Sequence, residues 1–208
     1  LCYGSDQNKD IKLITMSMNN FKDKMMKRQT IFVLSLLFLT LSVQAQTKHM
    51  KFAGIPLAGT IEQFQKKLVA KGFHVQTILN RQLPVGTRLF KGVFAGKTGN
   101  VAVYYDVGAK VVYGAKVYFD SLTSDCARTE LDNLKSLLTI KYGEENITDG
   151  VDREDHPTFT VKTVLGSIYC YMMQDASMSS YPYDWSTHAE FSDATNSLRH
   201  ESNILNDF

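Results

Sequence analysis

Hydrophobic and polar positions change their spacing several times along the chain, and each change marks an element. Residues 31–43 (IFVLSLLFLTLSV) are an uncharged apolar run preceded by Lys27 and Arg28 and followed by Val43-Gln44-Ala45. A spanning helix needs ~20 apolar residues, so this run is too short for a permanent anchor. A basic stretch, an apolar stretch and a small-residue site in that order describe a secretory signal, with cleavage expected between Ala45 and Gln46. Translation is then expected to start at Met26. Residues 26–45 are the signal, and 1–25 an upstream or extended n-region without structure. Residues 46–208 form one mature domain of an exported protein, periplasmic or secreted.

Beyond the signal the spacing becomes helical. Thr60 and Gln63 read as a capping box. Ile61, Phe64 and Leu68 then fall on one face, and Gly72 and Phe73 supply a stop. Three strands follow at 89–95, 100–107 and 111–120, rich in β-branched and aromatic residues and joined by Gly-bearing turns. In the third, strict alternation puts Val111, Tyr113, Ala115, Val117 and Phe119 on the core face. A second helix is expected over 124–142, with Ala127, Leu131, Leu134 and Leu138 as its buried stripe and Gly143 as its end. The polar stretch 144–157 reads as a loop. Residues 158–163 and 167–174 read as a hairpin, 176–185 as a loop, 187–191 as a short strand and 197–205 as a terminal helix.

This order predicts an α+β fold, with an antiparallel six-stranded sheet covered on one face by two helices. Leu68-Val-Ala-Lys71 and Leu138-Thr-Ile-Lys141 sit at matching helix ends. The order therefore reads as a pseudo-repeat of two αβββ units, about 52–120 and 121–195. The segments Phe52-Ala-Gly-Ile-Pro-Leu-Ala-Gly-Thr60, Lys71-Gly-Phe73 and Leu134-Lys-Ser-Leu-Leu-Thr-Ile-Lys-Tyr-Gly143 resemble a group of uncharacterised exported proteins of Bacteroidetes. The helix-plus-meander order also resembles the β-lactamase-inhibitor-protein and SmpA/OmlA envelope-lipoprotein architectures. That resemblance implies action by protein–protein contact. The chain lacks the lipidated Cys of the second group.

Composition changes this picture little. Lys and Arg number 23 against 21 Asp and Glu, which leaves no basic footprint for nucleic acid. Removing the signal leaves two cysteines, Cys126 and Cys170. In an oxidising compartment they read either as a disulfide or as two separate buried thiols. No catalytic motif is present, and the five His residues show no metal-ligand spacing, so neither a catalytic residue, a metal nor a cofactor is expected. The acidic stretch 149–156 reads as a solvated loop.

Tyr181-Pro-Tyr183-Asp-Trp185 stands out as an aromatic turn. With Tyr104 and Tyr118, and with Tyr169 and Tyr171 beside them, it forms the candidate binding patch if the sheet leaves a face uncovered. The expected function is an exported interaction module for a protein or glycan ligand. A small exported hydrolase and a structural envelope factor are the alternatives.

Overall fold

A computed structural model describes residues 49–174 and 185–205. In chain order it contains β1 (Lys51–Phe52), β2 (Ile55–Pro56), α1 (Ile61–Ala70), β3 (His74–Val75) and a one-turn α2 (Thr77–Asn80). There follow β4 (Thr87–Phe94), β5 (Lys97–Tyr105), β6 (Val112–Ser121) and α3 (Ser124–Tyr142). A 3₁₀ turn (Glu144–Asn146) leads into β7 (Ile147–Val151), β8 (Pro157–Thr163), β9 (Gly166–Gln174), β10 (Trp185–Asp193) and α4 (Ala194–Leu205).

Helices α1 and α3 form where their local signals place them. The Thr60 hydroxyl accepts from the Gln63 N–H, and the Gln63 side chain accepts from the Thr60 N–H, both at 3.3 Å. Such a cap contributes about 1 kcal/mol. At the far end of α1, the Phe73 N–H donates to Leu68 O and the Gly72 N–H to Val69 O. This closure requires a left-handed residue, and Gly72 supplies it at φ 88°. Helix α3 starts from Thr123, whose hydroxyl accepts from the Cys126 N–H at 3.2 Å. It ends at Gly143 (φ 87°). Its stripe Ala127, Leu131, Leu134 and Leu138 is buried as the spacing requires.

The sheet has eight strands rather than six, in the order β3-β4-β5-β6-β10-β9-β8-β7, with every neighbouring pair antiparallel. Helices α1 and α3 are each followed in the chain by four strands, and the two sets meet where β6 pairs with β10. The two additions are the edges, β3 and β7. Strand β7 lies inside the stretch that its polarity marks as a loop. An edge strand draws its order from one ladder to its neighbour, here Ile147–Val161 through Val151–Pro157, and needs no apolar stripe of its own. Strand β10 is the opposite case. It extends to Trp185, a position expected in a loop, and is central because it pairs on both sides.

One irregularity corrects the face assignment in β6. Tyr104 opposes Gly114 and Tyr105 opposes Val112, so Tyr113 is left over as a bulge. The extra residue shifts the alternation. Val112 is fully buried, and Tyr113 leaves the core to stack on His200 in α4, ring centroids 4.2 Å apart.

Helices α1 and α3 and the β1–β2 hairpin enclose one core with one face of the sheet. Phe90, Val101, Val103, Ala115, Val117, Phe119, Phe159, Val161, Ile168, Cys170, Ala189 and Phe191 line that face. Phe52 of the hairpin stacks on Phe94 at 5.0 Å and meets Phe191 edge-on at 5.2 Å. Among the described residues, Cys126 and Cys170 are separate free thiols, one exposed and one buried, and form no disulfide with each other. Cys170 lies in β9 between Phe159 and Ala189, its register partners on either side, where burial pushes its thiol pKa up. Cys126 faces outward from the first turn of α3. A strand facing the core and the exposed side of a helix turn do not bring two sulfurs together.

Candidate functional site: the aromatic face of the sheet

The face turned away from α1 and α3 carries a different set of side chains. Period-two alternation puts Asn100, Tyr118, His188, Tyr171 and Thr158 on one rung across β5, β6, β10, β9 and β8. The next rung carries Ala102, Lys116, Glu190, Tyr169 and Thr160. Three rings of the first rung are stacked. Tyr118 lies 5.7 Å from His188 with planes 22° apart, and His188 lies 4.7 Å from Tyr171 with planes 3° apart. Tyr169, two residues along β9, continues the stack from Tyr171 at 5.1 Å and 26°. Each such pair contributes about 0.5–1.5 kcal/mol beyond its burial.

His188 is the centre of this row and is only 6% exposed. Its Nε2 is 2.8 Å from the Ser186 hydroxyl, while its Nδ1 is buried without a hydrogen-bond partner among the described residues. Burial, reinforced by the Lys116 charge, holds its pKa down to about 4. The imidazole is therefore neutral at physiological pH. Two tyrosines of this face are held neutral as well. Burial, with Glu190 adding to it, raises Tyr171 to about 12, and burial also raises Tyr104. The row is thus an uncharged, hydrogen-bonding surface, with one cation and one anion, Lys116 and Glu190, opposite each other on the adjoining rung.

At one end of this face the Asp106 carboxylate accepts from His200 Nδ1 at 3.0 Å, from the Asn203 amide at 3.2 Å and from the Ala109 N–H at 2.7 Å. The His200 bond first, then the Ala109 bond, lowers its pKa to about 2. This His–Asp pair ties α4 to the β5–β6 connection, and Tyr113 occupies the face of the imidazole. Among the described residues no three His, Cys, Asp or Glu side chains converge as a metal site, and no helix is long and apolar enough to cross a membrane.

The structure separates the residues of the expected patch. Tyr104 and Tyr118 lie on the aromatic face with Tyr169 and Tyr171. Trp185 lies on the opposite one, in alternation with Thr187, Ala189 and Phe191, packed against the core and 5.1 Å from His156. Tyr181, Tyr183 and the cleavage pair Ala45–Gln46 fall outside the described residues. His188, Lys116 and Glu190 complete the site and were not singled out from sequence. The available signal was the alternation Ser186, His188, Glu190 against Thr187, Ala189, Phe191. No family model, no curated protein and no solved structure matches this chain.

Proposed function

We propose that this is an exported binding module that takes a protein partner on the aromatic face of its sheet. The observation that carries the reading is the contiguous row Tyr118–His188–Tyr171–Tyr169, built around a neutral imidazole with a buried, unpartnered nitrogen. An orphaned buried polar atom costs about 1–3 kcal/mol, so its retention in the middle of the row calls for a reason other than stability. Tyrosine offers a large contact area at low entropic cost. The ring orientation favours a protein over a glycan. The rings stack on one another, so their faces are occupied within the row, whereas a sugar needs an open ring face to stack on. Two units of a helix and four strands, joined through β6 and β10, belong to the same proposal. They fit an internal repeat of the β-lactamase-inhibitor-like kind, whose members act by protein contact.

The test is affinity capture from an envelope extract and culture fluid of the producing organism. The bait is the native chain, a Tyr169→Ser/Tyr171→Ser variant, and an Ile140→Ser control on exposed α3, all shown to melt cooperatively. A saturable protein partner is expected on the native and control baits and not on the tyrosine variant. Equal capture by all three, no capture by any, or retention of soluble glycans in place of protein would overturn the reading.

A further inference from the structure

On the helical side of the sheet, away from the aromatic face, a pocket of about 170 Å³ opens between the β1–β2 hairpin, the β4–β5 turn and the last two turns of α3. Its floor is apolar, made by Phe94, Leu134, Leu138, Ala189 and Phe191, and half-exposed Leu137 stands at its side. Among the described residues, Lys51 and Lys141 are its charged lining residues and no carboxylate lines it. A third lysine joins them. The Lys71 Nζ lies 3.6 Å from where a Cβ on the pocket residue Gly54 would stand. Lys51, Lys71 and Lys141 come from β1, the end of α1 and the end of α3. None of them forms an ion pair among the described residues, although Lys97 and Lys135 nearby in the fold do.

We propose that this pocket binds a small amphiphilic carboxylate, its short acyl chain or single ring on the apolar floor and its anionic head among the three lysines. The volume sets the size. A cavity near 150 Å³ lined by Leu, Ile and Phe accommodates a benzene-sized guest in another protein. About six to eight carbons is therefore the match, well below a drug-sized ligand. The charge sets the head group, because Lys51 and Lys141 line the pocket, Lys71 reaches the pocket residue Gly54, and among the described residues none of the three pairs with a carboxylate and no acid lines the pocket. Lysine acts here as a point charge on a flexible stem, suited to a carboxylate of variable reach.

The experiment titrates the full chain with octanoate, octan-1-ol and octylamine at low ionic strength, by calorimetry and by amide chemical-shift perturbation. Octanoate is expected to bind roughly five- to tenfold more tightly than the alcohol, and the amine more weakly than either. Added salt should erode the preference. The triple variant Lys51→Gln/Lys71→Gln/Lys141→Gln should bind the alcohol as before and lose the preference for the carboxylate. Leu137→Trp, at an exposed position that folding tolerates, should block both. Absence of octanoate binding, equal affinity for acid and alcohol, or binding untouched by Leu137→Trp would overturn the proposal. So would association with phosphatidylglycerol vesicles without any response to free octanoate, which would assign the lysines to a lipid surface instead.

Discussion

His188 shows how one side chain sets a pH dependence. In the unfolded chain its imidazole takes up a proton near pH 6.5, and in the folded chain only near pH 4. Between these values the unfolded state binds more protons, so stability falls as the pH falls from about 6.5 to about 4, and this contribution flattens below that. The loss between pH 7 and 4.5 amounts to about 2–3 kcal/mol for a fully buried group. Asp106 acts in a separate window. Its carboxyl is held at about 2, so its contribution is lost only as the pH drops below 3.8. Urea midpoints at pH 7 and 4.5 should therefore converge for His188→Phe, which keeps a ring in the stack and removes the titration. Parallel slopes for the variant and the native chain would show that the burial of His188 carries no such linkage.

At the scale of elements, the sheet has a strong centre and weak margins. Strands β6 and β10 pair along eight positions and are each flanked on both sides, whereas β3 contributes two residues and β7 a single five-residue ladder of mostly exposed side chains. Local opening free energies range from near zero at such margins to the global value at the centre. Native-state hydrogen exchange should find the β6 and β10 amides slowest and those of β7 among the fastest in the sheet. Protection of β7 equal to that of β10 would mean that its free edge is paired. The β10 result matters most to the proposed site, because that strand presents His188 to one side of the sheet and Ala189 and Phe191 to the other.

The described fold is tied together at Asp193, a fully buried carboxylate at the junction of β10 and α4. It accepts from the Met50 N–H at 2.7 Å, from the Asn196 N–H at 2.9 Å and from His49 Nδ1 at 3.1 Å. Asn196 extends the junction by donating to Leu57 O and Val112 O. One residue thus caps α4 and fastens the segment ahead of β1, which carries Phe52 into the core. Asp193→Ala removes the cap and strands a buried N–H, at a cost of about 2–4 kcal/mol. Equilibrium urea denaturation should report that loss with an unchanged dependence on denaturant. A loss below about 1 kcal/mol would mean that the junction is held by packing alone.

The sequence by itself determined what depends on neighbours a few residues apart. Helices α1 and α3, the capping box at Thr60, their glycine stops and their buried stripes follow from spacing along the chain, as do the apolar strands β4, β5, β6, β8 and β9. Tertiary structure decided the rest, because the cause lies in partners distant in sequence. Strands β3 and β7 exist through one ladder each, so their own residues carry little pattern. The bulge at Tyr113 moves Val112 into the core, a one-residue shift that alternation cannot register. The pairing of β6 with β10 makes a weakly marked strand central. It also brings Tyr118, from one half of the chain, against His188 and Tyr171 from the other, while Trp185, two residues from Thr187, turns to the core side. The cysteines stay apart for the same reason, since spacing along the chain does not say which face of the fold each sulfur reaches.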